Sequence, residues 1–499
     1  MRTVVLASAT SIIVLGSLLA CQADPCSSGE CIPPGHYDEA GADGATADGG
    51  GATDADGDAN VITPPGCNLA VEPKAAPECV AESIGLFVSA TGSDEGDGSK
   101  GKPFRSIAKA LASATNQRFR VYVCEGTYAE ALSFGRSTSL YGGFSCTNWA
   151  YTGKAAKVAP AKQGYAAQFT GVTNVEVADV MFESQAASAA GASSIAAFLN
   201  NSKVSFRRVS FDAGAGADGE PGAPFVSNLF SADPNDLRGN PAMGAVAGGP
   251  KTCVCKTFGQ SVGGGAGIAR QNGSPGSAAP TNPNVAPAGA GGPGWFNNVA
   301  CSGGVSGTVG APAAATLTPQ THGAFVSGVW TPTVGAAGAV GNPGGGGGGG
   351  GGGEDDPSGG GGCGGCGGAG GGGGRGGGAS IGIVALASTV SLDACSLRVG
   401  KGGVGGDGMP GESGGVGGGG NFGACSGGKG GGGGAGGGGG GGAGGLSVGV
   451  LYSGPAPIVV DPKFVGGTAG AGGTGGAGGA GGPKGDDGKP GVVAETLSL

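Results

Sequence analysis

Residue types able to do chemistry are sparse in this 499-residue chain. The only two histidines, His36 and His322, are far apart in sequence, which argues against a histidine-based hydrolase or a zinc protease. Cys253-Val254-Cys255 and Cys363-Gly364-Gly365-Cys366 hold four thiols. They would suit zinc in a reducing compartment and loop disulfides in an oxidising one, so the compartment decides. Asp54-Ala55-Asp56-Gly57-Asp58 has the opening of a calcium loop but lacks the closing glutamate, and reads as solvated acidic linker. Segments 96–102 and 423–429 begin like phosphate-binding loops, yet Pro103 and Gly430 stand where the Ser or Thr must be. No metal, cofactor or catalytic residue is expected from these patterns.

The chain that must position such groups is unusual. Glycine (124) and proline (30) dominate it, while 12% of residues are charged and 5% aromatic, so one large core of ordinary packing is not expected. The net charge of −9 comes without a basic patch, which removes nucleic acid as a partner.

Arg2 precedes an apolar stretch over 4–19 that is short for a membrane span and ends in Leu18-Leu19-Ala20-Cys21. That ending resembles the bacterial lipobox. The resemblance implies cleavage after residue 20 and a mature N-terminus at Cys21 carrying acyl chains such as palmitate, hence a membrane partner. Gln22 fits sorting to the outer membrane. Export makes disulfides the default for the remaining cysteines, Cys26 with Cys31 among them. Residues 21–64 then form an acidic tether with little to bury.

Residues 65–155 have the most ordinary composition. Gly85-Leu86-Phe87-Val88-Ser89 reads as a strand, and a polar loop follows. Ile107, Ala110, Leu111 and Ala114 lie on one face of a short helix, and Arg120-Val121-Tyr122-Val123-Cys124 is again a strand. The order Val88-Ser89-Ala90-Thr91-Gly92-Ser93-Asp94, Pro103-Phe104-Arg105-Ser106-Ile107, Val121-Tyr122-Val123, Gly126-Thr127-Tyr128 with Glu130, and Leu140-Tyr141-Gly142-Gly143 resembles the opening of pectate-lyase-like right-handed parallel β-helix proteins. The resemblance implies an all-β solenoid whose open apolar end is covered by the short helix. Cys124 and Cys146 are 22 residues apart, close to one coil of such a solenoid, so a disulfide between stacked coils is expected there.

The remaining apolar blocks read as further coils. Val175, Val177, Val180 and Phe182 alternate with a step, and Val204, Phe206, Val209, Phe211 and Val390, Leu392, Cys395, Leu397 repeat the spacing. Coils are expected at 156–212, 380–398 and 446–466, with glycine-rich insertions at 213–379 and 399–445 and a glycine-triplet tail at 467–499. Within these, glycine recurs at every third position from 402 to 420 and from 467 to 491. Three residues is the period of an extended left-handed helix without internal hydrogen bonds. Such tracts either pack on one another or wave in solvent. The homopolymeric run 344–353 is expected to be a flexible loop.

The resemblance also invites a polysaccharide lyase or glycoside hydrolase, which would need carboxylates and a basic residue grouped on one face. Asp179, Glu183, Arg207, Arg208, Asp212 and Asp393 are placed for this, although Arg207 and Arg208 should point to opposite faces of one strand. The reading preferred from sequence is a lipid-anchored bacterial surface protein with a structural or adhesive role and no catalysis. Its partners would be the membrane and a polysaccharide or matrix polymer.

Overall fold

Most strands of this chain stack in parallel rather than pair as hairpins. The computed structural model describes residues 61–277, 286–326 and 328–499, which fall in one compact unit, Asp58–Leu499. Cys21, Gln22, Cys26, Cys31, His36 and the acidic run 54–58 lie outside the described residues. Three parallel sheets wind into a right-handed β-helix. The first holds seven strands, in order Gly85–Val88, Arg120–Cys124, Ser139–Phe144, Val175–Ala178, Lys203–Arg207, Thr389–Asp393 and Ile458–Val460. The second runs from Leu132–Phe134 to Val493–Ser498, and the third from Gly126–Tyr128 to Lys463–Val465.

Equivalent apolar residues stack in register: Val175, Val204 and Val390, then Val177, Phe206 and Leu392, with Phe182, Phe211 and Leu397 on the third sheet. All are buried in one core. The step in each repeat is a corner residue in the left-handed region: Asp179, Arg208, Ala394 and Asp461 have φ of 46–55°. Successive corners are tied by amides, Asp179 N to Arg207 O, Arg208 N to Asp393 O and Ala394 N to Val460 O, at 2.9–3.1 Å. One such residue turns the chain between sheets and swaps which side its neighbours face.

The helix Ile107–Ser113 closes the N-terminal end with Ile107, Ala110 and Leu111 buried. Its first amides are satisfied by side chains from outside it. Glu130 accepts from Ile107 N (2.7 Å) and Ala108 N (2.9 Å), and Asp94 accepts from Arg105 N and from Ser106 N and Oγ. The sequence-based boundary at 467 requires a correction. The tail does not end in glycine triplets, because Val493–Ser498 returns as the last strand of the second sheet beside Ser447–Ser453. Two antiparallel pairs interrupt the long insertion, Lys251–Cys255 with Gly259–Gly263 and Gly323–Val326 with Val329–Pro332. The second pair seats Trp330 on the outer face of the second sheet.

Candidate functional site: a charged coil face and a glycine-helix bundle

The charged residues singled out from sequence divide into two groups. Glu183 pairs with Lys157 (2.7 Å) and Asp212 approaches Arg398 (3.9 Å) on the third sheet. On the first sheet, Asp179, Arg207, Arg208 and Asp393 come together with Glu72 and Glu176, which sequence reasoning missed. Arg208 holds Asp179 through two bonds of 2.8 Å and Glu72 Oε2 at 2.6 Å. Arg207 reaches Glu72 (3.1 Å), Glu176 (2.9 Å) and Asp393 (3.9 Å). The expectation that the two arginines face apart is therefore corrected. Arg208 is a corner residue with φ of 53°, so strand alternation stops at Arg207 and both guanidinia reach the same carboxylate.

This face has the residue types of an acid–base site but not the freedom of one. Tyr151 donates to Asp179 (3.0 Å) and Tyr141 to Glu176 (2.8 Å), so the carboxylates already have partners. Burial would raise the Glu72 carboxyl, but hydrogen bonds and charge from Arg208, with Lys74 and Arg207 behind it, hold it below its ordinary value. Asp179 in turn raises the Arg208 guanidinium above its ordinary value. Glu72 belongs to a segment, 61–80, laid across the outer face of the first sheet. The Cys67–Cys79 disulfide folds that segment, and Tyr122 OH donates to Cys79 O. Arg120, buried beneath it, donates to Leu69 O and lies over the Tyr141 ring, while its Nε and Nη1 make no hydrogen bond among the described residues. The ion cluster is thus a clasp that closes the N-terminal segment onto the solenoid. Asp94 and Glu130 are likewise occupied as helix caps; burial raises the Glu130 carboxyl, while hydrogen bonds from Ser106 and Arg105 outweigh burial and lower that of Asp94.

Among the described residues, every cysteine but Cys395 is committed to a cross-link. Cys124 is bonded to Cys146, Cys253 to Cys363, Cys255 to Cys366 and Cys301 to Cys425. Cys395 is free and buried between coils, where burial pushes its thiol up. His322 is half-buried, and burial with the nearby Lys489 lowers its pKa. Among the described residues, no group of three or more His, Cys, Asp or Glu is placed to hold a metal ion.

The glycine tracts form the larger feature. The run 344–353 is not a flexible loop, because each of its amides donates a hydrogen bond. Gly344, Gly347, Gly350 and Gly353 donate to Gly365, Gly362, Gly359 and Asp356; Gly345, Gly348 and Gly351 donate to Thr308, Val305 and Ser302; Gly346, Gly349 and Gly352 donate to Ser277, Ser274 and Gln271. Donation in three directions with a period of three defines a threefold extended helix. Its carbonyls accept from three further segments, through Gly264 and Gly267, Gly289 and Gly292, and Gly428 and Gly431. Six neighbours surround one helix, which is a two-dimensional lattice and not a collagen triple helix.

Both triplet tracts join this lattice. Gly470, Gly473, Gly476 and Gly479 donate to Gly445, Gly442, Gly439 and Gly436, and Gly402, Gly405, Gly408 and Gly411 donate to Thr468, Ala471, Thr474 and Ala477. Glycine is required where backbones meet: a Cβ on Gly348 would overlap the carbonyl of Ala290, and one on Gly349 that of Gly265.

The bundle has a defined far end. The segment from Asp356 back to the solenoid at Ala379 is one extended helix, and at ~3.1 Å per residue it spans about 70 Å. Turns at 240–248, 268–271, 295–301, 353–357 and 421–425 gather at that end. Gly248 N donates to Ser358 O, Arg270 N to Gly353 O, Trp295 N to Gly352 O and Gly359 N to Cys425 O. Cys301–Cys425 ties two of these turns together. Met243, Phe296 and Phe422 are 71–73% exposed on them, beside the acidic Glu354, Asp355 and Asp356.

Comparison with known proteins adds the following. Residues 90–135 match a family described as protein of unknown function (DUF1565). That stretch comprises the polar loop, the capping helix and the first coil. No curated protein matches the chain. Among solved structures, a rhamnogalacturonan lyase is 16% identical over 26% of this chain and 38% of its own, with a TM-score of 0.14. The catalytic domain of a GH87 alpha-1,3-glucanase, in complex with tetrasaccharides, is 16% identical over 31% of this chain and 28% of its own, with a TM-score of 0.15. The matched regions are well under half the length of either structure, and no activity is carried over from them.

Proposed function

We propose that this is a lipid-anchored bacterial surface protein with a structural or adhesive role and no catalysis. In this reading the solenoid is a base and the glycine bundle a rigid projection whose far turns make contact with a polysaccharide, a matrix polymer or a neighbouring surface. The observation that carries it is the bundle: an extended lattice ending in several turns with exposed Met243, Phe296 and Phe422. Loops held by a rigid scaffold and bearing aromatic side chains are the usual form of a binding surface. The clasp on the first sheet supports the absence of catalysis, since its carboxylates are neutralised by Arg207 and Arg208. Anchoring through Cys21 rests on Leu18-Leu19-Ala20-Cys21, and sorting to the outer membrane on Gln22.

The deciding experiment attaches the protein to beads and measures retention under flow on surfaces coated with a panel of acidic and neutral polysaccharides. Retention on at least one coating, lost in Phe296→Ser/Phe422→Ser, is expected. Retention no better than an unrelated protein on every coating rejects polysaccharide adhesion. Release of unsaturated or reducing sugars from the same panel, with or without calcium, would instead establish the carbohydrate-active alternative. Cys21→Ala is expected to move the protein from the membrane fraction to the soluble one.

A further inference from the structure

The two ends of the solenoid are finished differently. The helix Ile107–Ser113 covers the first coil, whereas Ile458–Val460, Lys463–Val465 and Val493–Ser498 are edge strands of all three sheets at once. Ile458, Val460, Val465, Val493 and Leu499 are 44–60% exposed there. Val459 and Phe464 are only half-covered by the core they face. A row of unpaired strand edges with apolar side chains is a surface made to be covered.

We propose that this end is an interface between two copies of the chain, packed tail to tail about a twofold axis. A twofold axis across the coil makes edge strands from the two copies antiparallel. Placing Ile458–Val460 against Lys463–Val465 of the second copy sets Ile458 opposite Val465, Val459 opposite Phe464 and Val460 opposite Lys463. Inward side chains then meet inward side chains and exposed ones meet exposed ones. The same register puts Asp461 beside Lys463 of the second copy. Neither residue makes an ion pair among the described residues, so the two charges are free to pair across the axis, and symmetry makes the contact twice.

Two of the three edges, Ile458–Val460 and Lys463–Val465, are three residues long and flanked by Pro457 and Pro462, which discourages pairing with an unrelated strand and leaves side chains to set the match. Because the N-terminal end is capped, assembly stops at two. The axis crosses Val493–Ser498 and brings the two Glu495 carboxylates toward each other.

Sedimentation velocity on the full chain carrying Cys21→Ala, so that no acyl chain drives association, tests this over a concentration series. A dimer is expected. Asp461→Lys and Lys463→Asp should each weaken it about ten-fold, the double exchange should restore it, and Glu495→Gln should tighten it. A monomer at every concentration, assembly beyond a dimer, or a dimer indifferent to both charge reversals would overturn the proposal. Near-ultraviolet circular dichroism of each variant separates loss of association from loss of fold.

Discussion

Glu72 shows how a single side chain can decide what a charged face does. With it in place, Arg207 and Arg208 are bound to carboxylates and the segment 61–80 is held down. Its pKa lies below the ordinary value, so its contribution is complete above the carboxylate range of about 4.3 and is lost as pH falls through the folded value. Glu130 has the opposite sign. Its raised pKa makes the ionised form costlier in the fold, and acidification relieves that cost. Glu72→Gln should loosen 61–80 by about 2 kcal/mol at neutral pH and flatten its acid dependence, since Glu72 is mostly buried and Arg208 keeps Asp179. Hydrogen exchange of residues 61–80 across the acid range measures both; unchanged protection in the variant would contradict the clasp. The arginine partners of Glu72 lie over a hundred residues away, and no periodicity marks it. Asp179 and Arg208 were visible as charges interrupting a Val and Phe repeat, but their left-handed corner was not. Only the step in the apolar spacing hinted at it.

At the scale of elements, the solenoid was legible because each coil repeats one apolar pattern and neighbouring coils reinforce it. Cys124–Cys146 was legible for the same reason, being one coil apart. The run 344–353 was not. Every position in a glycine homopolymer is locally alike, so its register comes entirely from Thr308, Val305, Gly362 and the other residues that accept its amides. Gly348→Ala should therefore cost about 3 kcal/mol or more, because its methyl group meets the Ala290 carbonyl from a packed neighbour. Gly135→Ala, which meets nothing, should be neutral. Comparing their denaturant midpoints checks this, and equal midpoints would mean that the bundle is loose. Cys253–Cys363, Cys255–Cys366 and Cys301–Cys425 close loops of 110–124 residues between segments of the insertions. Closing a loop of that length contributes on the order of 4–5 kcal/mol in the chain-entropy treatment, with less from each added link inside the same loop. Reduction should accordingly open the insertions 213–379 and 399–445 to protease before the coils of the solenoid are cut, which peptide mapping over time would reveal. Simultaneous cleavage of both regions would contradict it.

The molecule as a whole joins two ways of making a folded state. Stacked Val, Leu, Ile and Phe side chains stabilise the solenoid by removing apolar surface from water. The bundle has little apolar surface to remove. What it gains is a nearly complete set of backbone hydrogen bonds among residues whose lack of Cβ allows close approach. It also bears the large entropy cost of ordering glycine, and cross-links to distant segments and attachment to rigid coils offset part of that cost. These two modes differ in heat capacity, because exposing apolar surface on unfolding raises it and exposing peptide groups lowers it. Calorimetry of the full chain should therefore give a heat-capacity increment per residue of roughly half the usual ~12–15 cal/mol/K. An ordinary value would mean that the bundle buries far more apolar surface than its glycines provide, or that it is unfolded before the transition begins. Amide exchange distinguishes these outcomes, since an ordered bundle protects 344–353 and 470–479 at temperatures where an unfolded one does not. A projection built this way owes its stiffness to backbone geometry, leaving the side chains of its far turns free to vary with whatever they contact.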